Sequence, residues 1–129
     1  MSKKILVSVC LIAALLMSMV IPVHAQLYYD TNTDVTLTLG FSSSGASCYS
    51  QISGGSGVTK ITDGTLTLSD SNGTVVEKWE NLSSGNSILI VSKTAKDVTQ
   101  GNTYTLTITA TVNTSTSSET ITKSITRTY

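Results

Sequence analysis

In this 129-residue sequence the side chain that most invites covalent chemistry is Cys48, set in Ala46-Ser47-Cys48-Tyr49-Ser50-Gln51-Ile52. Four roles compete for it: a nucleophile, a lipid attachment point, half of an intermolecular disulfide, or a small apolar side chain in a core. A nucleophilic thiol needs a histidine, a cation or a helix end to lower its pKa. The second cysteine, Cys10, follows Ser8-Val9 inside an apolar run and stands too near Met1 to be the cysteine of a lipoprotein signal.

That run reads as an export leader. Lys3 and Lys4 form a positive head, residues 5–21 are almost wholly apolar, and Val23-His24-Ala25 offers the small-x-small pattern of a cleavage site. Cleavage after Ala25 makes residues 1–25 a signal peptide and leaves 26–129 as one secreted domain with no membrane span of its own. Pro22, His24, Met1, Met17 and Met19 all fall in the leader, so the remainder contains no histidine, proline or methionine. That absence rules out a Ser-His-Asp triad, a Cys-His pair and a histidine metal site, and no cofactor is expected. The remainder holds six basic and eight acidic residues, a net charge of −2, and no basic patch to hold nucleic acid. With one cysteine it can close no internal disulfide.

Other residue groups resemble sites without completing them. Asp30-Thr31-Asn32-Thr33-Asp34 alternates oxygens as a calcium loop does, but Val35 stands where that loop needs glycine and Phe41 where it needs glutamate. The stretch reads as a polar lead-in to a strand. Glu77 and Glu80 are three residues apart, which on a strand sets them on opposite faces and unfit to flank one glycosidic bond. Trp79, the only tryptophan, and Tyr49 are weak candidates for ligand contact by stacking on a sugar ring; an edge-strand tryptophan more often covers the end of a core.

The elements that must position these residues are strands. Threonine and serine alternate with valine, leucine and isoleucine throughout residues 26–129, and a period of two means one face buried and one wet. In Tyr104 to Val112 the even residues are apolar and the odd ones threonine. Turn residues divide the chain into seven strands, over residues 34–41, 46–52, 58–69, 74–80, 87–93, 103–112 and 119–128. Asn72-Gly73 predicts a tight hairpin and residues 113–118 a longer one. In the third strand Val58, Leu66 and Leu68 share one phase and Ile61 the other, so a bulge at Asp63-Gly64 is needed to bring all four inward. The fifth, Ile88-Leu89-Ile90-Val91, is apolar on both faces; either loops or a partner cover its outer side, loops being the commoner solution in a single domain, with Lys93 as a guard against strand-to-strand aggregation. Seven short antiparallel strands predict an all-β two-sheet sandwich.

The strand order, the Gly101-x-x-Tyr104-x-Leu106 run opening the sixth strand and the cysteine in the second resemble immunoglobulin-like and fibronectin type III-like sandwiches. More narrowly, TKITDGTLTLSDSNGTVVEKW over residues 59–79, GNTYTLTITATV over 101–112 and a last strand rich in Glu and Thr are similar to small exported immunoglobulin-like proteins of Gram-positive bacteria. These motifs belong to a fold and not to an active site. In immunoglobulin domains the second-strand cysteine bonds to a residue two places after the corner tyrosine. Here that residue is Leu106, so the resemblance implies Cys48 and Leu106 packing in the core, and the phase shared by Ala46, Cys48 and Ile52 agrees.

The chain therefore reads as a secreted, non-catalytic module, not an enzyme, that contacts an unknown protein or a cell-wall glycan through a strand edge or loop ends. The alternative is a structural protein that self-associates by pairing strand edges.

Overall fold

The structure, a computed structural model, describes residues 31–129; the leader expected over 1–25, and Asp30 of the calcium-like stretch, lie outside the described residues. Within them lie seven antiparallel strands and no helix: β1 (Asp34–Ser42), β2 (Gly45–Ser53), β3 (Val58–Asp70), β4 (Val75–Ser84), β5 (Ile88–Ala95), β6 (Thr103–Thr114) and β7 (Ser118–Thr128). Each falls where the alternating pattern put it, and β4 runs four residues further than expected.

The strands form two sheets, β1-β2-β5 and β4-β3-β6-β7. Apolar residues of one phase from both sheets meet in a single core that includes Leu39, Cys48, Ile52, Leu66, Leu106, Ile108 and Ile121. At one side of this sandwich β1 lies beside β7, and at the other β5 lies beside β4. The wet face of β6 and β7 is a hydroxyl ladder in which Thr103–Thr128, Thr105–Thr126 and Thr107–Ser124 pair across the strands at 2.8, 2.9 and 2.7 Å. Each pair satisfies its own polar groups, so this face is held in register by side chains as well as by main chain.

The bulge in β3 is where the sequence required it. Pairing with β6 slips between Thr62 and Thr65, Asp63 adopts φ 53°, and Val58, Ile61, Leu66 and Leu68 all reach the core. Gly64 is fixed by close approach: a Cβ there would lie 2.6 Å from the main-chain oxygen of Leu82. A second slip, opposite β4 between Leu68 and Ser69, turns Val75 outward at 52% exposure and lets Val76 pack against the core.

Hairpins join the neighbours. Asp70 to Thr74 closes through Gly73 N–H donating to Asp70 O at 3.1 Å, with Gly73 alone at positive φ, 81°. The Asp70 side chain accepts from the main-chain N–H of Asn72 and Thr74 at 2.9 and 3.0 Å, the local bonding that makes aspartate a turn residue. A two-residue hairpin at Ser43-Ser44 joins β1 to β2, with Gly45 at φ 120°; serine repeats gave no turn signal of the strength of Asn-Gly.

Candidate interaction edge

Cys48 and Leu106 occupy opposite sheets, on β2 and β6, and both are wholly buried in the same core. Burial pushes the Cys48 thiol up to about 11, because desolvation disfavours the thiolate. Its sulfur makes one weak contact, donating to Ala46 O at 3.8 Å. A protonated, enclosed thiol has neither the charge nor the access that a nucleophile needs.

The two aromatic candidates are not brought together. Trp79 pairs opposite Leu66, on the core-facing side of β4, and packs half-buried against the core. Tyr49 stands on the outer face of the other sheet, where its hydroxyl donates to Gln51 Oε1 at 2.8 Å and Gln51 Nε2 reaches Ser53 Oγ at 3.2 Å. Glu77 stands opposite Leu68, while Glu80, on the other face, pairs with Lys78 at 2.9 Å. The two carboxylates therefore diverge as strand geometry requires. Among the described residues no three or more potential metal ligands come together.

What distinguishes the molecule is the treatment of its four sheet edges. An edge strand presents unpaired N–H and C=O groups, and proteins blunt it with charge, bulges or cover. On β1, Lys123 Nζ donates at 2.7 Å to Val35 O, a carbonyl of the open edge, and Tyr129 OH donates at 2.9 Å to Ser42 O at the end of the strand, so side chains of β7 and the residue after it lie along that edge. Phe41 stacks on Tyr129 at 4.8 Å, fixing that reach. On β7, Glu119, Lys123 and Arg127 stand opposite the core residues Val112, Ile108 and Tyr104, which makes them inward-pointing charges on an edge. On β4 the ladder slips three times, Asn81 takes φ 57°, and Glu77, Lys78 and Glu80 add charge.

Among the described residues the β5 edge has little of this along its first half: the Ile88 main-chain N–H is taken by Asn86 Oδ1 at 2.9 Å, and no side chain caps Ile90 or Ser92. Its pairing to β2 runs unbroken from Ala46–Ala95 to Ser53–Ile88, and its one charge, Lys93, lies past the apolar run. The expectation that loops cover its outer side is not met: Ile88 is 46% and Ile90 58% exposed. Beside it, between β4 and β5, opens a groove of about 420 Å³ walled by Asn81, Leu82, Leu89, Val91 and Lys93 among others. The slot sets Leu82, Leu89 and Val91 among the polar groups of Asn81, Ser83 and Ser92, with a single cation, Lys93.

Sequence reading identified the double-faced apolar run but missed the groove's second wall, because β4 was expected to end at Glu80. The left-handed Asn81 resets the strand's phase and turns Leu82 toward the core. An asparagine followed by leucine was the available signal, since asparagine is among the few residues that tolerate positive φ. No protein-family model matches this chain, and no curated protein matches it.

Proposed function

We propose that the chain is a secreted, non-catalytic immunoglobulin-like module that engages a partner by strand addition at the β5 edge. The observation that carries this is the contrast between β5, straight, apolar and uncovered, and three edges that are capped, charged or kinked. An extended strand laid along β5 would pair with its free main-chain groups and set alternate side chains into the slot beside Leu82, Leu89 and Val91.

The immunoglobulin-like reading is supported by the strand order in the two sheets and by the Tyr104 hydroxyl, which accepts from the Thr99 main-chain N–H at 2.8 Å just before β6. Secretion rests on the leader pattern of residues 1–25. The non-catalytic reading rests on the lack of histidine in residues 26–129 and on the buried, protonated thiol. A protein strand fits the edge better than a wall glycan does, since Trp79 and Tyr49 lie on different sheets and build no shared stacking platform.

The test is capture from the native culture with three baits: the wild-type protein, Ile90→Lys, and Thr107→Lys on the hydroxyl ladder. The expected result is a partner retained by the wild type and by Thr107→Lys and lost by Ile90→Lys. Equal capture by all three would remove β5 from the proposal.

A further inference from the structure

We infer that the strand seated on β5 is the β5 strand of a second copy, paired antiparallel about Ile90. This rests on reading β5 as the interaction edge and names its occupant. The strand is self-complementary in the way a two-fold contact requires, since the same patch must serve both sides. Centred on Ile90, the pairing sets Ile90 against Ile90, Leu89 against Val91 and Ile88 against Ser92. The core-facing phase of one copy then continues into that of the other, as Leu89 and Val91 share the inward phase of β5 with Ala95. On the outer face the exposed Ile88 and Ile90 of both copies form one apolar strip beside Tyr49.

Charge agrees with this register. Lys93 is the only charged side chain on β5, and in this pairing it stands opposite Ser87 of the second copy. The two lysines are then six residues apart along the ladder, about 20 Å, beyond a Debye length at physiological salt. A parallel pairing in register would set lysine against lysine. The product is a continuous six-stranded sheet, β1-β2-β5-β5-β2-β1, whose outer edges are the two β1 strands along which Lys123 and Tyr129 lie. On each leftover β1 edge Lys123 holds the Val35 carbonyl and β7 packs alongside, which disfavours a third copy.

Two measurements test this: sedimentation velocity of the purified protein over a concentration series, and oxidation of Ile90→Cys. The expected result is a mass that rises from one chain to two and no further, a monomer for Ile90→Lys at every concentration, and a covalent dimer for Ile90→Cys but not for Thr107→Cys. A wild-type mass of one chain throughout, a mass that climbs past two, or an Ile90→Cys that does not cross-link overturns the second copy as occupant. If the wild type is monomeric while Ile90→Lys still loses a captured protein, the β5 edge stands and its occupant is a foreign strand. If the wild type is monomeric and capture is unchanged, the edge itself is wrong.

Discussion

Lys123 Nζ on β7 donates to the main-chain oxygen of Val35 on β1 at 2.7 Å, tying the outermost strands of the two sheets together on one side of the sandwich. The lysine does two things at once. It occupies a carbonyl that would otherwise be open to another chain, and it places an inward charge on β7 itself. The opposite side, where β5 meets β4, has no counterpart to it among the described residues, and there the groove opens.

Replacing Lys123 with methionine keeps most of the apolar stem and removes the charged donor. The expected cost is about 1–2 kcal/mol, in the range for a partly buried hydrogen bond to a charged group. A urea titration reads it as a lower midpoint at unchanged slope. An unchanged midpoint would mean that the bond contributes nothing.

The Cys48 thiol is held neutral by the core, with its folded value near 11 against 9.0 when exposed. A group whose pKa is raised on folding contributes stability that is complete below the unfolded value and lost as pH climbs through the folded one. Between pH 9.0 and 11 the wild-type protein should therefore lose more stability than Cys48→Ala does. Parallel pH profiles for the two would contradict this. A thiol reagent should label the native protein slowly and the denatured protein fast, and fast labelling of the native form would reopen a reactive role.

Gly64 and Gly85 offer a matched pair. An added Cβ at Gly64 meets the Leu82 main-chain oxygen at 2.6 Å and the Leu82 Cβ at 2.8 Å, whereas at Gly85 it meets nothing within 4 Å. Gly64→Ala should cost about 1–3 kcal/mol as the bulge is forced apart. Gly85→Ala should leave the melting temperature unchanged or slightly higher, because it stiffens only the unfolded chain. Equal effects would show that β4 yields freely at Leu82.

Ser50 is 1% exposed, and its hydroxyl has no hydrogen-bond partner among the described residues. A buried polar group without a partner costs about 1–3 kcal/mol, part of which alanine recovers. Ser50→Ala should stabilise the protein by about 1 kcal/mol in thermal unfolding. A clear loss of stability would mean that the hydroxyl is bonded in solution, for example to an enclosed water.

The strands were legible because their signal is local. Tyr104 to Val112 alternates without exception, and Ile61 out of phase with Leu66 demands the bulge that Asp63 and Gly64 provide. The buried fate of Cys48 was legible for the same reason. The edges were not, because which strand stands outermost depends on pairings between distant segments. Lys123 and Val35 are 88 residues apart, and nothing local in either stretch announces their bond. The Ile88–Val91 run signalled burial on both faces, and only the strand order β1-β2-β5 reveals that one face and one edge of it stay open. Val75 and Val76 mark a smaller limit: strict alternation places Val75 on the face of Trp79, but a slip in the ladder opposite Ser69 turns Val75 outward and Val76 toward the core.

Amide hydrogen exchange at rising protein concentration tests the β5 edge most directly, because it reads every strand at once. Exchange from the amides of Ile88 to Lys93 should slow progressively as concentration rises, while β1, β4 and β7 exchange at the same rate throughout. Unchanged exchange along β5, or protection gained on one of the other three edges instead, would contradict the edge and the pairing built on it.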